Sequence, residues 1–254
     1  MRASFADHFS EVSAQYAQFR PRYPDDLFSY LAALPARREC AWDCATGSGQ
    51  AALPLVRFFV QVVASDASLR QISKAARDPK LHYFVAAAEA CGLRPASVDL
   101  VTVAQALHWF DLSRFFLEAD RVLRPGGVLA VWNYGRLQVT HPVMQDLLQH
   151  FYDDIVSPYW PPERRLVEEG YRSLVLPFRE LQSPAFALTA NWTMHHLAGY
   201  LRTWSATQRF IASRRFDPVT ALMPQLAPYW GSAETTHRLS WPVALRVAVK
   251  SSPG

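Results

Sequence analysis

Lysine is almost missing from this sequence of 254 residues: three occur against 23 arginines, within a formal net charge of only +4. The basic residues never gather into a Lys/Arg-rich stripe, so no nucleic-acid partner is expected, and the mild positive excess fits anionic small molecules better than DNA. Arginine suits forked contacts to carboxylate or phosphate, though a bias in residue usage accounts for its excess equally well. Cysteine is scarce as well. Cys40, Cys44 and Cys91 form an odd set with no secretory pattern, which fits a reducing, cytoplasmic setting. Cys40 and Cys44 share one face of a predicted strand, yet no Cys/His pair at zinc spacing completes them, so no metal is expected. No apolar run approaches the roughly 18 residues of a membrane span, and no membrane association is expected. The opening Met-Arg-Ala-Ser-Phe-Ala-Asp-His lacks the apolar centre of a signal peptide.

Other absences narrow the chemistry. No nucleophile-elbow motif accompanies a serine or cysteine, which argues against a hydrolase. His195 and His196 are neighbours on a predicted helix and face apart, and His141, His150 and His237 have no partners at ligand spacing. There are no internal repeats or low-complexity tracts.

Half of the residues are apolar and 19% are charged, the composition of a folded globular chain. Phe5, Phe9, Val12, Tyr16 and Phe19 recur at helical spacing, and the pattern breaks at Arg20-Pro21-Arg22-Tyr23-Pro24. A short helix follows through Leu27, Leu31 and Leu34. Strands and helices then alternate: strands at 39–44, 60–65, 82–86, 98–103 and 128–132, and helices at 51–59, 68–77 and 113–123, with Ser68 as an N-cap. That rhythm predicts a doubly wound α/β fold with a mostly parallel sheet. It lapses after residue 137. Helical patterns at 141–155 and 194–214 are separated by Pro- and aromatic-rich stretches, and a last strand is expected from 239. The segment before it reads as a cap inserted ahead of the final strand.

Two local features point to a nucleotide cofactor. Trp42-Asp43-Cys44-Ala45-Thr46-Gly47-Ser48-Gly49-Gln50 is a strand entering a glycine turn and then a helix. Such a turn lets backbone approach a ligand closely and offers unpaired N–H groups. Asp66 ends the next strand, where a carboxylate accepts both ribose hydroxyls. These features leave the cofactor open, because Gly47 to Ala52 also fits the G-x-G-x-x-A loop of nicotinamide enzymes.

A wider series of residues is more specific. Asp43 ends the first strand, and Val98-Asp99-Leu100-Val101 leads into Gln105-Ala106-Leu107-His108-Trp109-Phe110. Glu118 to Leu123 then runs into Arg124-Pro125-Gly126-Gly127 and the strand Val128 to Trp132. With Tyr16-Ala17-Gln18-Phe19-Arg20-Pro21, this series resembles the class I S-adenosylmethionine-dependent methyltransferases. Within them it is similar to the type 11 group that includes trans-aconitate methyltransferase-like enzymes. The resemblance covers about residues 5 to 135.

It implies a seven-stranded, Rossmann-like methyltransferase sheet in a single domain. Residues 1–36 would form a helical lid, 37–136 the cofactor-binding core, 137–238 a substrate cap and 239–254 the final strand and tail. It implies S-adenosylmethionine as cofactor, with Gly47, Gly49, Ala45, Thr46 and Asp43 at the methionine end. Asp66 would hold the ribose, Ala67 would pack on adenine and Gln105 would lie beneath the methyl group. Arg20 would pair with the cofactor carboxylate and Tyr16 and Tyr23 would exclude water. Two positions depart from the family: Ala45 replaces a loop glycine, and Ala87 stands where many relatives hold an Asp, leaving adenine to Ala88 and Glu89. His108 is the candidate general base. The cap aromatics, with arginines 164, 165, 172, 202 and 209, are candidates to hold a small organic acid for O-methylation. A monomer or homodimer is expected. The alternatives are a nicotinamide-dependent oxidoreductase and a non-catalytic binding protein of the same fold.

Overall fold

Side-chain alternation along the central strands builds two apolar faces. In β1 (Cys40–Cys44) every residue is buried. Trp42 and Cys44 pack with Val101, Val103, Leu129 and Val131 on one side, and Ala41 packs with Leu100, Val128, Ala130 and Trp132 on the other. Burial on both faces is the condition under which parallel strands are found. In a computed structural model describing residues 19–251, β1, β2 (Gln61–Asp66), β3 (Leu81–Val85), β4 (Val98–Ala104) and β5 (Leu123–Tyr134) are all parallel, in the order β3-β2-β1-β4-β5. Tyr16 and most of the first predicted helix lie outside the described residues.

β6 (Gln138–Val139), β7 (Arg179–Leu181) and β8 (Phe186–Trp192) all pair antiparallel with the long β9 (His237–Val249). Val247 of β9 faces Ala130 of β5 on one side and Leu181 of β7 on the other, and Ser240 faces Gln138 and Thr189 in the same way. Among the described residues, nine strands therefore fill seven positions across the sheet, which is the doubly wound, mostly parallel α/β architecture expected.

Helices cover the sheet where their apolar spacing allows. α1 (Asp25–Ala33) buries Leu27, Phe28 and Leu31. α2 (Ala52–Leu55) and α3 (Leu69–Ile72) are single turns, shorter than the helices expected at 51–59 and 68–77. Ser68 does stand before α3, but its side chain makes no capping bond; its N–H is committed to Asp66. α4 (Leu112–Val122) buries Phe115, Ala119 and Val122 and is capped by the Asp111 carboxylate, which accepts from the Arg114 N–H.

A third apolar core belongs to residues 134–241, among them Met144, Leu201, Trp230 and Trp241. It is formed largely by α5 (Pro142–His150), α7 (Met194–Arg202), α8 (Ser205–Arg214), α9 (Pro218–Trp230) and β8, with α6 (Arg164–Glu168) preceding β7. The continuous helix expected at 194–214 is broken at Thr203-Trp204. There the Thr203 hydroxyl donates to the Tyr200 carbonyl at 2.6 Å, and Trp204 turns to an extended conformation. α9 was not anticipated, because Pro224 and Pro228 lie inside it. Burial of Val219, Leu222, Leu226 and Trp230 at three- to four-residue spacing outweighs them.

One buried carboxylate ties the sheet together. Asp99, 2% exposed, accepts from the N–H groups of Glu39 and Cys40 at 2.8 and 2.9 Å and from the Arg124 guanidinium at 2.5 Å. It thus fixes the starts of β1, β4 and β5 against one another. The turn after Arg124 is equally constrained: a Cβ on Gly127 would stand 2.8 Å from the Arg124 carbonyl oxygen. Asp99→Ala is expected to cost about 1–3 kcal/mol, because it leaves two N–H groups without their acceptor and a partly exposed guanidinium without its partner. Urea denaturation followed by circular dichroism measures it, and a loss under about 1 kcal/mol would refute the assigned role.

Candidate cofactor and acceptor site

The carboxyl ends of β1, β2 and β4 open onto one cleft. Ala45, Thr46, Gly47 and Ser48 line it from the turn after β1, Asp66 and Ala67 from the end of β2, and Ala104, Gln105 and Ala106 from the end of β4. Tyr23, Trp109, Phe110 and Tyr134 complete the wall. This is the edge at which open parallel sheets bind ligands, because the loops diverge there.

Asp66 is already gripped before any ligand arrives. Its two carboxylate oxygens accept from the Gly47 N–H at 2.9 Å and the Ser68 N–H at 2.8 Å. Burial raises its pKa and these two bonds oppose the rise. The carboxylate is thereby oriented, with lone pairs left for further donors. Gly47 has φ +56°, and a Cβ there would meet nothing within 4 Å; it borders open space at a backbone angle that side chains avoid.

Asp43 works from underneath. It is 1% exposed and accepts from the Thr46 hydroxyl at 2.5 Å and the Thr102 hydroxyl at 2.7 Å. It does not line the cleft. It braces the turn after β1 against β4, a supporting place rather than the ligand contact implied by the family. Burial pushes its pKa up to about 6 from an ordinary 3.8, so folding favours its neutral form. The resulting stabilisation is complete below the ordinary value and is lost as pH rises through about 6. Relative to Asp43→Asn, the stability of the native chain is expected to fall by about 2–3 kcal/mol between pH 4 and pH 8. Denaturant titrations of both proteins across that range test this, and parallel pH profiles would refute it.

The remaining residues expected at the site divide. Gly49 is buried below the turn and backed by the Tyr83 hydroxyl. Ala88 and Glu89 do not line the cleft; a Glu89 oxygen accepts the Asp111 N–H at 2.9 Å, tying its loop to the start of α4. Arg20 lies next door, donating to the Tyr134 hydroxyl at 2.6 Å and the Thr203 carbonyl at 3.2 Å. Ala45 and Gln105 occupy left-handed backbone at φ +55° and +58°, a strain of about 1–2 kcal/mol each. The Ala45 side chain packs against the core that contains Cys44 and Leu107.

A second cleft adjoins the first and shares Gln105, Trp109 and Tyr134 with it. Its other walls include Arg20, His108, Tyr152, Trp160, Arg164, Tyr200 and Trp204. Of the five cap arginines singled out from the sequence, only Arg164 lines it. Arg165 pairs with Glu169 and Arg202 with Asp217, while Arg209 donates to the Tyr159 carbonyl. His108 is mostly buried, with its Nδ1 3.0 Å from the Tyr171 hydroxyl, and burial followed by the nearby Arg164 charge holds its pKa down at about 4. Tyr134 and Tyr171 carried no local motif; only their place in the fold reveals them.

A sheet in this order, with a glycine turn after β1, an acid ending β2 and paired clefts at the carboxyl edge, defines a class I methyltransferase architecture. The comparisons agree. The methyltransferase domain family matches residues 42–131. A Dictyostelium discoideum protein described as a methyltransferase is 32% identical over 238 residues, covering 92% of this chain and 90% of its own. A solved structure from Anaeromyxobacter dehalogenans, described as a type II methyltransferase, is 43% identical with a TM-score of 0.87, over 92% of this chain and all of the other. A Saccharomyces cerevisiae protein described as S-adenosylmethionine-dependent is 32% identical over 131 residues, 48% of this chain and 45% of its own. The chain belongs to the class I S-adenosylmethionine-dependent methyltransferases.

The residues present fit that cofactor. Asp66 offers an oriented carboxylate to a ribose, Gly47 leaves room beside it, and the Gln105 Nε2 is buried at the junction of the clefts with no hydrogen-bond partner. Among the described residues no group of three or more His, Cys, Asp or Glu could hold a metal ion, and no helix is long and apolar enough to cross a membrane. Asp66→Ala is expected to weaken S-adenosylhomocysteine binding by about tenfold or more, the cost of a charge-assisted pair. Calorimetric titration measures it, and unchanged affinity would refute the ribose role.

Proposed function

We propose that the protein methylates a small organic acid on a carboxylate oxygen, with the second cleft as the acceptor site. Arg164 carries this reading. Its guanidinium lies 4.5 Å from the Trp160 ring centre and 5.7 Å from that of Tyr152, and its Nε donates to the Tyr152 hydroxyl at 3.0 Å. Among the described residues no carboxylate pairs with it. Arg136 on the same wall is, by contrast, held by Asp153 at 2.7 Å and Glu168 at 3.7 Å. A cation stacked in an aromatic pocket and lacking a counter-ion favours an anionic guest.

The cofactor contributions proposed for the first cleft are Asp66 to the ribose and the turn at Ala45, Thr46 and Gly47 to the methionine portion. Ala67 would lie against adenine, and Gln105 would face the reacting centre. Arg20, bonded to Tyr134 where the clefts meet, would pair with the cofactor carboxylate. S-Adenosylmethionine supplies a methyl group on a sulfonium, an already activated leaving group, so a carboxylate oxygen takes the methyl without losing a proton. The protein's task is then alignment, and holding two reactants in line is worth about 7–11 kcal/mol. The cap, proposed as residues 137–238, would choose the guest.

The test follows label from methyl-labelled S-adenosylmethionine across a panel of carboxylic acids, phenols, amines and thiols. Acids are expected to give base-labile methyl esters. Arg164→Ala should raise KM for those acids by about tenfold, the value of a lost charge-assisted contact, with S-adenosylhomocysteine affinity unchanged. Label appearing only on amines or thiols would overturn the acid reading.

A further inference from the structure

His108 faces the acceptor cleft, and what it can do there depends on which ring nitrogen carries the proton. Its Nδ1 lies 3.0 Å from the Tyr171 hydroxyl, and its Nε2 has no protein partner among the described residues. Tyr171 is 0% exposed, and burial raises its pKa, so the hydroxyl keeps its proton. Two acceptors lie near that proton among the described side chains: His108 Nδ1, at 3.0 Å, and the Asn133 amide, whose approach to the hydroxyl falls short of hydrogen-bond geometry. The neighbouring Asn133 amide, fully buried, has neither polar atom in a hydrogen bond.

The placement of Tyr171 is itself costly. It adopts φ +60°, where a bulky side chain is strained by about 1–2 kcal/mol. Its carbonyl is clamped by the Arg246 guanidinium, which also donates to the Leu174 carbonyl at 2.6 Å. The same short stretch of chain supplies Arg164 to the cleft at its start and, at its end, the buried Tyr171 hydroxyl behind His108.

We propose that the Tyr171 hydroxyl donates to His108 Nδ1 and so fixes the neutral tautomer whose Nε2–H points into the acceptor cleft. His108 then serves as a hydrogen-bond donor that orients an acceptor oxygen, in place of the general-base role expected from the sequence. Tyr171 is the positioning residue. The consequence for substrate class rests on the acid reading above: a donor beside the uncompensated Arg164 selects oxyanions that arrive already deprotonated. No proton leaves the acceptor in such a transfer, and no base is required.

The experiment has two arms. Long-range proton–nitrogen NMR on ¹⁵N-histidine-labelled protein bound to S-adenosylhomocysteine reads the tautomer directly; His108→Gln assigns the His108 signals among the eight histidines. A protonated Nε2 and bare Nδ1 at pH 7 are expected, collapsing to a tautomer mixture in Tyr171→Phe. A protonated Nδ1, or an unchanged tautomer in Tyr171→Phe, overturns the proposal. The second arm measures binding of benzoate and of its uncharged counterpart benzamide to the same complex. Benzoate should bind more tightly, lose about tenfold in His108→Ala, and recover to within threefold in His108→Gln, which keeps a donor near Nε2 but cannot act as a base. Equal losses in both variants overturn the donor role. The expected tautomer with no benzoate binding supports the Tyr171 lock and overturns the acid reading, so the two failures are distinguishable.

Discussion

A carboxylate with almost no access to water governs the working edge of this protein. Asp43 sits at the end of β1 and draws in hydroxyls from both sides, Thr46 from the turn and Thr102 from β4. Its burial is unfavourable for charge, and the two hydroxyls are what make it tolerable. Because those partners belong to different segments, satisfying Asp43 also sets where the turn lies against β4. The turn then presents the Gly47 N–H to Asp66, and Asp66 in turn holds the start of α3 through Ser68. Three strand ends are thus registered by a chain of hydrogen bonds that starts from one buried acid.

The second organising feature is strain at the same edge. Ala45 and Gln105 are left-handed non-glycine residues lining the clefts, and Tyr171, also left-handed, is buried behind His108. At about 1–2 kcal/mol each they form a sizeable fraction of a marginal net stability. Strain persists where surrounding structure over-determines it, and each position shows that support. Ala45 packs into the core with Leu107, the Gln105 N–H donates to the Trp132 carbonyl at 2.9 Å, and Arg246 clamps Tyr171. At Gln105 the bend lets a buried strand deliver a polar side chain to the junction of the two clefts.

This division explains what the sequence revealed and what it hid. Gly47 and Asp66 lie at strand ends, each marked by neighbours within a few residues, so pattern and spacing locate them, while Ala67 and Gln105 were reached through the family resemblance. The parallel sheet was legible for the same reason, since β-branched and apolar runs buried on both faces announce themselves. Asp43 was legible as a motif but not as a brace, because its partner Thr102 is 59 residues away. β7 and β8 escaped notice because they depend on the second side of β9, and α9 because its prolines outweigh its apolar spacing in any local reading. Arg164 stood out only as one arginine among many. Its distinction is that no carboxylate among the described residues pairs with it, and that is a property of three-dimensional neighbours.

The two clefts therefore rest on different kinds of support. The first is made of turns whose geometry is fixed by hydrogen bonds inside the sheet, among them those of Asp43 with Thr46 and Thr102. The second is walled by side chains from the separate apolar core of residues 134–241, joined to the sheet through β9 and through Tyr134. Under the proposed acceptor role, altering Trp160, Arg164 or Tyr200 changes guest selection while Asp43 and Asp66 keep their partners. His108 is the exception. It lines the second cleft yet follows β4, and Tyr171, whose hydroxyl lies 3.0 Å from its ring, is buried in the same sheet core. A change at residue 171 therefore bears on an imidazole 63 residues away in sequence, from within the core that carries both.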